Sequence, residues 1–200
     1  RMVMKTFKAL KYLRLPIILI IGMWLISLIP FTSPRTERVD AVVMIDGELY
    51  FVLPKEYKVQ WMTIRDSPTS IMWAQSPADY RDRSIYLKTR QIKYGQKIKG
   101  LITKEPLKKL QKNIDYYAEI GIAGRMWKAL AWYRIVDNNK VIMTRGFDPK
   151  LPKNRTVTIE KNGKKIVVPY SIEFIRNKDG DIVKKVIVSH PEKGKVIEKR

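Results

Sequence analysis

The chain has 200 residues, with 40 Lys+Arg against 19 Asp+Glu, a formal net charge of +21, one His and no Cys. Without Cys there are no disulfide staples, no thiolate chemistry and no lipoprotein attachment site, and a single His all but excludes a zinc centre. The positive excess favours anionic partners: nucleic acid, acidic lipid headgroups, anionic wall polymers or an acidic protein face.

Residues 1–14 form a basic tail carrying Lys5, Lys8, Lys11 and Arg14 with no acidic residue. From Leu15 to Pro34 no residue is charged, and a helix of that length rises by about 30 Å, the thickness of a bilayer's hydrocarbon. The run Ile17–Ile21 leaves no room for the polar stripe of a core helix. No A-x-A cleavage pattern follows, since Ile29, Pro30, Phe31, Thr32, Ser33 and Pro34 come next. The expectation is an uncleaved, single-pass signal anchor over 15–34. The positive-inside rule then keeps the tail in the cytoplasm and places the rest on the periplasmic or extracellular side of an inner membrane.

The outer domain is expected over 35–190, with a polar C-terminal tail at 191–200. It opens with sheet: VDAVVMI and ELYFVL flank Asp46-Gly47, a strong hairpin signal, Pro54 closes the second run, and Tyr57 to Ile64 alternates as a third strand. Residues 66–80 hold two Ser-Pro pairs and read as an irregular connection, with Ser76, Pro77 and Asp79 able to start a short helix. IYLKTRQIKYG reads as a strand or as that helix continued. Leu107, Leu110, Ile114 and Tyr117 recur at three- and four-residue steps, so Thr103 to about Ile120 is expected as one amphipathic helix, capped by Thr103 and stopped at Gly121. Beyond it come a helix or loop to about Lys128, a strand, a turn at Asp137-Asn138-Asn139 and the strand VIMTR. A three-stranded meander follows, with turns at Asn162-Gly163 and Asp179-Gly180. The fold class expected is thus α+β, a transmembrane helix followed by one β-rich domain with one clear amphipathic helix.

No motif names a reaction. His190 lies at a strand end with nothing nearby in sequence to orient it, the carboxylates Asp79, Asp82 and Glu48 are not seen to converge, and no Gly-rich phosphate loop is present. No catalytic, cofactor-binding or metal-binding residue is assigned, no cofactor is expected, and the chain is read as a non-enzyme. Asn154-Arg155-Thr156 matches a glycosylation sequon, which matters only in a eukaryotic secretory route. The densest functional signal is the run Lys88, Arg90, Lys93, Lys97, Lys99, Lys104, Lys108, Lys109 and Lys112, with Glu105 its one acid and Tyr86 and Tyr94 interleaved. Such a run attracts phosphate or carboxylate polymers, and its aromatics offer stacking faces.

Together these features predict an accessory or scaffold subunit of a bacterial envelope assembly, of the secretion, conjugation or motility type. It would sit at a lipid bilayer, touch other membrane or envelope proteins through its outer domain, and possess the means to oligomerise. The alternative is a tethered binder of DNA or anionic wall polymer through 88–112, and a third reading is a membrane-anchored hydrolase.

Overall fold

Asp46 and Gly47 hold φ of 49° and 83°, the conformation of a two-residue turn whose twist matches that of the strands beside it. The turn joins β2 (Ala41–Ile45) to β3 (Glu48–Arg65), with a ladder from Ala41↔Val52 to Ile45↔Glu48. The computed structural model describes residues 36–79, 81–82, 84–123, 127–151 and 155–197. The chain divides into Arg1–Ser33 and Pro34–Arg200, and every described residue belongs to the second unit.

The remaining strands are β1 (Thr36–Arg38), β4 (Ile71–Ser76), β5 (Leu87–Lys93), β6 (Ile102–Glu105), β7 (Asp115–Ile122), β8 (Trp127–Asp137) and β9 (Lys140–Arg145), then β10 (Thr156–Lys161), β11 (Lys164–Arg176), β12 (Ile182–Ser189) and β13 (Lys195–Ile197). They pair in the order β10-β11-β12-β9-β8-β7-β3-β4-β6, while β2 and β5 join β3, β13 joins β11, and β1 runs parallel to β8. β3 is long enough to serve two neighbourhoods. Its first half pairs β2 and β5 and its second half pairs β4 and β7, with a register shift between Val52 and Tyr57. Pro54 sits in that irregular stretch, where a missing N–H breaks no ladder. The expected third strand is therefore the continuation of the second.

β2 is buried along its whole length. On the side away from β3 its acceptors meet side chains instead of a ladder: Lys185 Nζ donates to the Asp40 carbonyl, and Ser189 Oγ to the Met44 carbonyl. Lys185 and Ser189 are four residues apart on β12, as Asp40 and Met44 are on the chain they meet, so two side chains of one strand face serve two carbonyls of another. Around β2 pack Phe51, Tyr116 and Tyr133, with Phe51 edge-on to Tyr133 at 5.6 Å and Tyr116 stacked on it at 5.6 Å.

Followed from β5 through β3, β7, β8, β9, β12 and β11, the ladders end at β10. Between β10 and β5 one side chain makes a bridge. Gln91 of β5 donates its amide N–H to the Thr158 carbonyl of β10 and accepts the Thr158 N–H at 3.2 Å. A primary amide carries one donor and one acceptor side by side, so Gln91 takes the place of one rung of a ladder.

The α+β expectation is corrected: among the described residues there is no α-helix, only one 3-10 turn at Pro191–Lys193. The segment expected as an amphipathic helix is β6, an irregular run, and β7. Asn113 takes a left-handed φ of 62°, which ends any helix there, and 115–122 alternates with period two, burying Tyr116, Ala118, Ile120 and Ile122. The helical face fails to bury, since Leu107 is 55% exposed. β7 instead gains ladders on both sides, to β3 and β8.

The transmembrane, signal-anchor and inner-membrane expectations are corrected as well. Among the described residues no helix is long and apolar enough to cross a membrane, and the domain is a sheet structure. The expected span over 15–34 and its flank Lys5, Lys8, Lys11 and Arg14 lie outside the described residues.

Candidate functional site

Beyond β5 the chain turns and, after β6, comes back as the irregular run 106–114, with a turn at Lys112-Asn113, which two tyrosines hold in place. The Tyr94 hydroxyl is shared between the carbonyls of Lys108 at 2.8 Å and Met72 at 3.1 Å. The Tyr116 hydroxyl accepts the Gln111 N–H at 2.7 Å and donates to the Gln111 carbonyl at 3.3 Å. Backbone bonds add Lys108 N–H to Met72 at 3.0 Å and Asn113 N–H to Ile135 at 2.8 Å. Gly95, with φ of 79°, lets Leu107 close over it: a Cβ there would stand 2.8 Å from Leu107 Cδ2.

The result is a cleft of about 1000 Å³ between this run, the end of β5 and the β2–β3 turn. Its floor is apolar, made by Met44, Leu49, Leu107, Leu110 and Ile135, and its rim is basic, made by Lys93, Lys108, Lys109 and Lys112 beside one acid, Glu48. A second hollow of about 810 Å³ shares Lys93, Tyr94 and Leu107 and extends along the seam at Gln91 and Thr158.

The nine basic residues of 88–112 are spread over β5, the turn after it, β6 and residues 106–114. Lys88 and Arg90 lie on β5, Lys97 and Lys99 in the turn after it, and Lys104 on β6; only Lys93, Lys108, Lys109 and Lys112 line the cleft. Several are already engaged. Lys88 pairs with Glu56 at 3.0 Å, Lys93 with Glu48 at 2.5 Å and Lys112 with Asp137 at 3.8 Å. Arg90 Nε donates to the Leu53 carbonyl at 3.1 Å and Lys108 Nζ to the Ile71 carbonyl at 2.7 Å. Lys97, Lys99, Lys104 and Lys109 are exposed and make no ion pair among the described residues.

At the cleft's edge Glu48 accepts from Lys93 and, at 2.7 Å, from the Tyr50 hydroxyl. Partial burial pushes the Glu48 carboxyl up, but the bonds from Lys93 and Tyr50 outweigh it and hold the group below the ordinary carboxylate value. Tyr50 moves the other way, raised by burial and by the Glu48 carboxylate.

Sequence reasoning missed a buried pair in the core, Lys185 and Asp40. Lys185 is fully buried and Asp40 nearly so, with Nζ 3.7 Å from Oδ1. Burial raises Asp40 and lowers Lys185, while each opposes the other's shift. The sole trace in sequence is the alternation of the run Ile182–Ser189, which aims Lys185 inward with Ile187 and Ser189.

His190 is oriented after all. Its Nε2 lies 3.0 Å from Ser171 Oγ, and its Nδ1 lies 3.4 Å from Glu192 Oε1. This has the order of a nucleophile, a base and an orienting acid, but acyl transfer also needs donors for the oxyanion. The His190 N–H to Pro169 bond sets the β11–β12 phase so that the Ser171 N–H turns into that ladder and the Ile172 N–H faces the opposite edge. Neither points at a carbonyl placed on Ser171 Oγ. Asp79 and Asp82 each cap a local turn, accepting from Arg81 N–H at 2.8 Å and Ser84 N–H at 2.9 Å. No cluster of metal-ligating side chains occurs among the described residues, and Asn154 of the sequon lies outside them.

No protein family matches the chain, and neither the curated proteins nor the solved structures yield a match.

Proposed function

We propose that this domain is a protein-binding module that serves an assembly as an accessory or scaffold part, and that its docking site is the cleft between β5, the β2–β3 turn and residues 106–114. The occupant is a partner segment with apolar side chains flanked by carboxylates. The observation that carries this reading is the amphipathic lining. Leu107 stands 55% exposed on a backbone tied down by Tyr94 and Tyr116, so the hollow is preformed and binding costs little ordering. Apolar side chains entering it gain from contact with Leu107 and Leu110, and lysines along the rim complement acids beside them.

The polyanion reading keeps one supporting fact, the exposed and unpaired Lys97, Lys99, Lys104 and Lys109. Against it stand the ion pairs of Lys88, Lys93 and Lys112, which return part of the local field to neutrality before any ligand arrives. The test is an array of extended peptides in which leucines and carboxylates are varied independently. The expected result is retention of peptides having both, loss on Leu107→Asp, and weakening on Lys109→Glu. Retention of all acidic peptides regardless of leucine content, or of none, would overturn the reading.

A further inference from the structure

Opposite the core, the sheet formed by β3, β7 and β8 shows a second kind of site, unrelated to the basic cleft. Tyr117 and Trp132 are direct cross-strand partners, and both turn away from Tyr116, Ala118, Ala131 and Tyr133, which face the core. Their rings lie 4.6 Å apart, tilted by 36°, and both are partly exposed. A cross-strand aromatic pair stabilises a sheet by itself, but here the turn after β3 rises beside it. Arg65 Nη1 holds the Pro68 carbonyl at 3.1 Å and Ser67 Oγ accepts the Ser70 N–H at 3.1 Å. The turn and the rings enclose a hollow of about 510 Å³, inside the range of roughly 300–1,000 Å³ typical of small-ligand sites.

Charge decides what fits. On a chain of net +21, this hollow is balanced. Asp115 takes Arg134 Nε at 2.8 Å and Nη2 at 2.5 Å, Glu119 takes Lys128 Nζ at 2.7 Å, and Arg65 and Asp66 supply one further charge of each sign. A cationic ligand would need spare carboxylate and an anionic one spare base; neither is present in excess. A purely apolar ligand would leave the polar rim without partners. What remains is an uncharged molecule with an apolar face and a fringe of hydroxyls.

We infer that the hollow over Tyr117 and Trp132 binds neutral, flat-faced pyranose sugars. The C–H face of a β-linked pyranose with equatorial hydroxyls lies against the part of the tilted Tyr117–Trp132 pair left open to solvent, through dispersion and the ring quadrupole. Its hydroxyls donate to Asp66 and to the acceptor positions left on Asp115 and Glu119 beside their existing ion pairs, and accept from the Arg65 N–H groups not held by Pro68. Trp132 also walls a neighbouring hollow of about 470 Å³ that contains Arg38, Thr144 and Arg145, so the site suits an oligosaccharide lying across the indole more than a single sugar. The docking cleft plays no part in this.

The full chain is titrated with cellotriose and with N,N′,N″-triacetylchitotriose, both neutral, while indole N–H resonances and binding heat are followed. At least one of the two binds saturably and more tightly than its monosaccharide. The Trp132 indole signal moves while that of buried Trp73 stays, and Trp132→Ala weakens binding by about tenfold or more. If Trp132→Ala fails to fold, Tyr117→Leu carries the same expectation, and the wild-type resonance shift stands as a test needing no variant. The inference is overturned if neither trisaccharide moves the Trp132 signal up to about 10 mM, a range reaching the weakest useful affinities, or if a folded platform variant binds as tightly as the wild type.

Discussion

Lys185 of β12 reaches the chain just before β2 and meets Asp40 twice, donating to its carbonyl and standing 3.7 Å from its carboxylate, with neither side chain open to water. Breaking a buried pair from one side leaves a lone charge in the core, which costs about 3–5 kcal/mol. Lys185→Met is expected to lose that much in denaturant unfolding, and Asp40→Asn in the same background to recover a large share. Equal and additive losses in the two single variants and the double would show that the residues do not act as a pair.

The Gln91–Thr158 contact bridges β5 and β10 through one side chain. Gln91→Glu keeps the acceptor for the Thr158 N–H but sets a carboxylate oxygen against the Thr158 carbonyl. A loss of about 1–3 kcal/mol is expected from the unmade bond, together with faster amide exchange at Thr158 and little change in β7 and β8. Unchanged exchange at Thr158 would mean that the seam is held by other contacts.

Alkaline pH should unfold this domain through its tyrosines. Burial raises the hydroxyls of Tyr50, Tyr94, Tyr116, Tyr117, Tyr133 and Tyr170 above the ordinary value of 10.0, and burial with Glu37 pushes Tyr57 up to about 12. A folded value above the unfolded one stabilises below the unfolded value and is lost as pH rises through the folded one. Stability is therefore expected to hold up to pH 10 and to fall above it, with tyrosinate absorbance rising in step with unfolding. At the acid end Glu48, held below its ordinary 4.5, gives stability that is lost as pH falls beneath that value. Ionisation of these seven tyrosines near pH 10 with the fold intact would contradict the burial described here.

The Ser171 and Ile172 N–H groups turn away from the Ser171 hydroxyl, so a fluorophosphonate probe is expected to label Ser171 no faster than other surface serines. Rapid labelling that vanishes on His190→Ala would restore the hydrolase reading.

Parts of this fold are plain in the sequence for local reasons. Asp46-Gly47 and Asn162-Gly163 take positive φ at both positions, and the strands of the C-terminal meander lie close to where the alternation puts them. The misread helix shows the limit of periodicity: Leu107, Leu110, Ile114 and Tyr117 match a helical face, while 115–122 also matches a strand, and the partners β3 and β8 decide between them. The basic run is legible as composition only. Its neutralising acids come from afar, Glu48 being 45 residues from Lys93, and the aromatic platform exists only once register sets Tyr117 beside Trp132. Lys185 reads as one more surface lysine until Asp40 is folded against it.

The salt dependence of binding tests the docking claim most directly. The full chain is titrated with the best-retained acidic, leucine-bearing peptide and, separately, with single-stranded DNA of equal length, over a series of salt concentrations. The account predicts that the peptide binds more tightly, that its affinity falls with a logarithmic slope of about two, as for a couple of lysine contacts, and that Leu107→Asp abolishes it. DNA bound more tightly than any peptide, with a slope of about four or more and no response to Leu107→Asp, would contradict it.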